Sequence, residues 1–389
     1  MTPATQVPVL LDAIPPQQEQ RDKGRVRRPR LYVLDGLRLL AALSVVAFHW
    51  TGVNLHPEVW GQKPKSLMPA VNGITAYGWM GVQLFFLISG FVICMSCWGR
   101  SPRDYFISRV VRLYPAYWFG VIATALVVNF AVTVRPSRKP LGISDLLANL
   151  TMLQKPLWVP DADGVYWTLW VELRFYLLFA VVAVMGLTYR RVLAFCGIWT
   201  ILAVIAPYTQ IGLLDLLLLP NDAPYFIAGV AMYLIYRFGV NPMLIAVVAF
   251  SWLIAQNRLH VTVGAYRHEV GYDLSWPIAA TITAVFFLVM LAAATGLLNR
   301  IQWKWLTVAG ALTYPVYLLH QEIGWALIRW GRDHGLAPYP LLAMCLAAIL
   351  LLSWLVHRFV ERPGSASLKR MLEGARFSLP KKDPAVVSR

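Results

Sequence analysis

The chain has 389 residues, is 58% hydrophobic, is charged at only 14% of positions and carries a formal net charge of +16, with a mean hydropathy of +0.57. That composition excludes a soluble domain of this size, which needs far more polar surface to stay dispersed in water. It also argues against nucleic acid as partner, because the basic residues form short clusters between apolar runs and not one solvated face.

In chain order, residues 1–30 are rich in Pro, Gln and Arg and end in Arg25, Arg27, Arg28 and Arg30. They predict a disordered basic tail at the anionic cytoplasmic face. A cleaved signal does not fit, since Asp35 and Arg38 interrupt the following apolar run and no small-x-small site follows it. About ten runs of membrane-spanning length come next, near 34–52, 78–98, 115–134, 166–187, 192–211, 223–238, 240–257, 276–297, 306–328 and 340–360. Only Gly239 and Asn241-Pro242 mark a turn between the sixth and seventh. The expected fold is all-α, a polytopic transmembrane helix bundle over residues 31–364. A C-terminal tail, 365–389, is expected to be peripheral and partly disordered. Lys and Arg concentrate in the loops that are inside when the N-terminus is inside, so both termini are expected in the cytoplasm and the bundle in the plasma membrane. No internal repeat is visible.

Four cysteines, Cys94, Cys97, Cys196 and Cys345, lie in apolar runs. The C-x-x-C at 94–97 has no second pair and no nearby His, so reduced packing cysteines are expected and no metal.

The informative residues are those that lipid rejects. A charge at mid-bilayer costs about 2.5–3.5 kcal/mol on insertion scales, so it faces a cavity or a partner. The first span carries Asp35, Arg38 and His49. Arg38 and His49 are nearly three helical turns apart, which puts them on one face roughly 16 Å apart along the axis. Two readings stand side by side. In one, a permanent cation at the inner mouth and a titratable base deeper in the bundle look into one internal chamber. In the other, Arg38 pairs with Asp35 and His49 only packs.

Ser89-Gly90 in the second span predicts a close helix crossing. Arg109 and Arg112, at i and i+3 before a span opened by Pro115, suit a phosphate clamp, and equally suit topology and headgroup contact. Glu172 and Arg174 are two apart and point to different sides of a helix, so Glu172 needs a partner elsewhere. In the ninth span, Tyr317 and His320 share a face beside Tyr314. Glu361 reads mainly as structural.

The segments LDGLRLLAALSVVAFH, FFLISGFVI, RVVRLYPAYW, YWTLWVELRFYLL, LTYPVYLLH and FVERP, in this order, resemble the membrane-bound acyltransferase-3 family over roughly residues 31–364. The opening and GWMGVQLFFLISGFVICMSCWGRS are also similar to macrolide O-acyltransferases. The resemblance implies a ten-span bundle that takes an acyl group from acyl-CoA (acetyl-CoA or a similar donor) on the cytoplasmic side. Its acceptors would be hydroxyls of sugars, glycans or secondary metabolites. It implies His49 as catalytic base, with Arg38 and the pair Arg109 and Arg112 matching the family's other motif residues; the mechanism expected from this puts Arg38 beside the donor, Arg109, Arg112 and Ser89 in donor binding, and Glu172, Tyr317 and His320 on the acceptor. The chain departs from the family's E-E-Q-F-Y at Glu172-Leu173-Arg174-Phe175-Tyr176, where a cation replaces an amide. Two rivals remain. A proton-coupled transporter also uses embedded His, Arg and Glu, and a membrane scaffold would tolerate apolar residues at 38 and 49.

Overall fold

A computed structural model describes residues 31–130 and 140–374. The expected N-terminal tail, the end of the expected third span and residues 375–389 lie outside the described residues. Among the described residues every regular element is helical. Nine helical stretches are long and apolar enough to cross a membrane, and Trp305–Leu319 is a shorter apolar helix. The chain is a multi-pass membrane protein.

The principal helices are α1 (Tyr32–Ala47, continued by a π-helical turn Phe48–Gly52), α2 (Gly81–Cys97), α3 (Pro102–Phe130), α4 (Trp167–Met185), α5 (Tyr189–Thr209), α6 (Ala223–Phe238), α7 (Pro242–Ala265), α8 (Trp276–Ala294), α9 (Trp305–Leu319), α10 (Glu322–Asp333), α11 (Pro338–Val356) and α12 (Arg362–Gly374). Helix α1 packs against both α2 and α9, and α2 packs along α6. On the outer helices Ile198, Leu253, Leu288 and Leu351 are each more than half exposed, as lipid-facing residues are.

The α2–α6 crossing rests on two glycines. A Cβ on Gly90 would overlap the backbone of Phe226, and one on Gly229 would overlap the backbone of Leu87. Small residues permit that backbone approach, and van der Waals packing then holds helices that gain nothing from leaving lipid. The weakly marked turn after α6 is real. Gly239 adopts φ +93°, the Asn241 side chain caps α7 by accepting from the Leu244 N–H at 3.0 Å, and Pro242 occupies the first turn, where its missing N–H costs nothing. All four cysteines are unbridged and buried.

Three boundaries differ from expectation. Helix α3 begins at Pro102 and runs through Pro115. A proline inside a helix leaves the carbonyl four residues earlier without its N–H; here that carbonyl, Val111, accepts from the Ser365 hydroxyl at 2.8 Å. Residues 365–374 are therefore helical and docked on α3. The last carbonyls of α12, Leu372 and Glu373, accept from the Arg103 guanidinium at 2.9 and 3.1 Å.

The expected ninth span, 306–328, is broken at His320-Gln321. The bonds lost at the break are replaced from outside. The Leu318 carbonyl accepts from the Tyr166 hydroxyl at 3.2 Å, the His320 carbonyl from the Trp50 indole at 2.8 Å, and the Glu322 N–H donates to Asp163 at 3.2 Å. Irregular backbone at membrane depth persists only with such replacement.

Gly90→Ala is expected to destabilise the detergent-solubilised protein by about 2 kcal/mol through overpacking. A thermal unfolding midpoint equal to that of the parent would contradict the crossing described.

Candidate functional site

Helices α1, α2, α3, α4 and α9 enclose a cavity lined by Arg38, Ser89, Arg109, Arg112, Glu172 and Tyr314, among others. Three guanidiniums thus face one carboxylate, and the charges acting on Arg38 include those of Arg112, Glu172 and Asp35. Asp35 fits because α9 has Gly310 opposite it, where a Cβ would strike the carboxylate. Ser89 donates to Glu172 Oε1 at 2.7 Å, so Ser89 belongs to the cavity while its neighbour Gly90 serves the crossing. This is the partner that Glu172 required. The Arg109 and Arg112 guanidiniums lie 5.9 Å from the Tyr176 ring centre and 5.8 Å from the Tyr314 ring centre, within cation–π range.

Arg112 is anchored from a distant part of the chain. Its guanidinium donates to Glu361 Oε1 at 2.9 Å, and the other oxygen, Oε2, takes the His357 imidazole at 2.9 Å. Glu361 sits on a second π-helical turn, His357–Glu361, and its side chain is 6% exposed. A buried, doubly bonded carboxylate fixes the direction in which Arg112 presents its remaining donors. Reading Glu361 as mainly structural missed this. Arg174 behaves in the opposite way: it lies outside the cavity lining, donates to the Leu216 carbonyl at 2.6 Å and lies over the Trp170 ring at 5.3 Å from its centre. Neither Leu173 nor Arg174, where the chain departs from the family motif, is among the residues lining this cavity.

A second cavity adjoins the first and is lined by His49, His56, Trp79, Trp167, Glu269 and Trp325, among others; the two share Val82 and Tyr317. Arg38 and His49 consequently face neighbouring cavities and not the single chamber expected. The two residues are separated mainly along the helix axis, roughly 16 Å over eleven residues, and His49 sits on the π-helical turn that continues the helix. Tyr317 stands at the shared wall. Its hydroxyl lies 2.7 Å from Thr168 Oγ1, and its ring packs edge-on against Phe85 at 5.6 Å.

His320, fully buried at the end of α9, meets His49. Its Nδ1 lies 2.8 Å from the Tyr317 carbonyl and 3.3 Å from the Val316 carbonyl, and its Nε2 lies 3.1 Å from His49 Nδ1. Carbonyls only accept, so His320 Nδ1 carries the hydrogen, and in the neutral ring Nε2 is an acceptor. His49 Nδ1 faces that acceptor and the Val45 carbonyl at 3.0 Å, so it too carries a hydrogen. The basic lone pair of neutral His49 is thereby assigned to Nε2. Trp325 adds a bond from its indole to the His49 carbonyl at 2.8 Å. Of the expected acceptor-side residues, His320 thus sits behind His49, Tyr317 lies between the cavities and Glu172 lines the arginine-bearing one. His56, Glu269 and Trp325 were not singled out beforehand; nothing in their spacing links them to His49.

A family model described as an acyltransferase domain matches residues 31–358. The chain is 26% identical to Acyltransferase MdmB of Streptomyces mycarofaciens over 371 residues, covering 86% of this chain and 91% of that protein. It is 25% identical to Exopolysaccharide production protein ExoZ of Rhizobium meliloti over 299 residues, 74% of this chain and 89% of that protein. It is 28% identical to the Putative peptidoglycan O-acetyltransferase YrhL of Bacillus subtilis over 170 residues, which are 40% of this chain and 24% of that protein. No solved structure matches. With a family match over most of its length and a lipid-facing helix bundle built around paired cavities, the chain belongs to the acyltransferase-3 family and is a membrane acyltransferase.

Proposed function

We propose that the chain is an acyl-CoA-dependent O-acyltransferase of the plasma membrane, with the donor in the arginine-lined cavity and a hydroxyl acceptor in the His49 cavity. The observation that carries this reading is the hydrogen-bonded His320–His49 pair, which leaves a basic imidazole nitrogen beside a cavity adjoining three arginines. Guanidiniums suit the phosphates of a coenzyme A donor. Positively charged loops support a cytoplasmic N-terminus, which puts the arginine cavity on the cytoplasmic side. The names of YrhL and ExoZ refer to peptidoglycan O-acetyl transfer and exopolysaccharide production, which supports a sugar-bearing acceptor, whether a glycan or a macrolide-type metabolite.

In the reaction, His49 Nε2 takes the acceptor's hydroxyl proton as the oxygen attacks the thioester carbonyl. The C–S bond then breaks, the new ester forms, and the leaving thiolate collects the proton from the imidazolium. The developing imidazolium is stabilised through Nδ1–H by the Val45 carbonyl and His320 Nε2. Arg38 stands on the donor side, where it stabilises negative charge on donor phosphate or on the carbonyl oxygen. Arg109 and Arg112 grip donor phosphates, with Glu361 holding Arg112 in place. Tyr317 and Thr168 set the passage by which the acyl group reaches the acceptor.

His49→Ala is expected to lower kcat about 10²–10⁴-fold, the usual worth of a general base, while acetyl-CoA still binds; retained turnover in membranes would remove the assignment. Protonated His49 cannot accept a proton, so kcat/KM is expected to fall on acidification. A profile flat from pH 5 to 8 would contradict it. His320→Leu is expected to reduce kcat and displace that limb with the donor KM unchanged, whereas Glu361→Gln is expected to raise the donor KM about tenfold with kcat largely kept. The reverse pattern would exchange the two roles.

A further inference from the structure

The two cavities differ in charge as well as in place. The charged residues lining the first are three arginines and one glutamate, whereas the charged residue lining the second is Glu269. Glu269 lies on the short helix Arg267–Val270 after α7. Its backbone carbonyl is engaged by the N–H groups of Asn54 and Leu55 at 2.9 and 3.1 Å, which fixes the residue's position while leaving its carboxylate to other work. The charge of that carboxylate acts on the phenol of Tyr266. Its basic neighbour Arg267 is engaged with Asp273 at 3.3 Å.

Around this carboxylate the cavity is aromatic. Trp79 and Tyr266 are stacked with centroids 4.1 Å apart and planes at 14°, which makes a rigid plate. Trp325 lines the same cavity from α10, packed edge-on against His56 at 5.1 Å, and Trp167 lines it as well. Aromatic faces carry negative quadrupole potential, and several of them beside one carboxylate form a receptor for an organic cation. A divalent metal is a poor fit, since it needs several oxygen ligands and no group of three His, Cys, Asp or Glu side chains gathers among the described residues. A polyanionic acceptor would meet repulsion from Glu269 with no arginine to offset it.

We infer that the His49 cavity recognises an acceptor bearing a protonated amine, as in an amino sugar, through Glu269 and the aromatic plate. The inference rests on the reading of this cavity as the acceptor site and specifies its chemistry. The hydroxyl to be acylated faces His49 while the ammonium group sits against Glu269, so charge on the acceptor orients the nucleophile without entering the reaction. A neutral ring of the same shape loses that anchor.

The test uses the full chain in lipid nanodiscs and three probes of like shape: the methyl glycosides of glucosamine, N-acetylglucosamine and glucose, with binding measured by calorimetry. The glucosamine probe is expected to bind about tenfold more tightly than the other two. Glu269→Gln is expected to abolish that preference while acetyl-CoA binding is unchanged. Equal affinity for the three probes in the parent protein would overturn the inference, and this arm needs no variant to fold. A preference that survives Glu269→Gln would also overturn it. His49→Ala separates this claim from the enzymatic one: it is expected to keep the preference and lose acyl transfer, and loss of the preference there would place the ammonium at His49, against the inference.

Discussion

Two backbone carbonyls at the end of α9, those of Val316 and Tyr317, decide the chemistry available to His49. They take the Nδ1 hydrogen of His320, which makes its Nε2 an acceptor, which in turn draws the Nδ1 hydrogen of His49. The Val45 carbonyl pulls in the same sense. An imidazole held in this way has its basic nitrogen chosen before any substrate arrives, which is the preorganisation that the proposed general-base role requires. His320 lies where the helix stops, at the last residue before Gln321. Asp163, Tyr166 and Trp50 support the break by taking over bonds that a continuous helix would make for itself.

Most of the bundle was legible in the primary structure, because hydrophobic length alone dictates what a bilayer accepts. Gly239 and Asn241-Pro242 located a turn through local chemistry, and Ser89-Gly90 located a crossing. What could not be read involves contacts between residues far apart in the chain. Pro115 looks like a helix start unless Ser365 is known to serve the Val111 carbonyl. Residues 306–328 look continuous because the groups that stabilise their break lie on two distant segments, around Trp50 and at Asp163–Tyr166. The π-helical turn at Phe48–Gly52 has no distinctive composition and was not anticipated.

The same distinction holds within the site. Arg38, His49, Arg109, Arg112 and Glu172 stand out because lipid rejects them, and the structure gathers all but His49 around one cavity. Glu361 stands out less, being near a span end, yet its carboxylate holds Arg112 from 249 residues away. Trp79, Trp325 and Glu269 are unremarkable in an aromatic-rich membrane chain and acquire meaning only when brought around His49. The result is a molecule with a cationic cavity and an aromatic, acidic one in contact at Val82 and Tyr317. That division suits two substrates of unlike charge whose reactive groups must meet at one wall.

The central claim is the protonation pattern of the two histidines, and nitrogen-15 resonances of selectively histidine-labelled protein report it without any substrate. At a pH where both rings are neutral, His49 and His320 are predicted to carry hydrogen on Nδ1, with His49 Nε2 showing the shift of a bare ring nitrogen. Hydrogen on Nε2 of His49 would contradict the account, because the nitrogen assigned as base would then have no lone pair to offer.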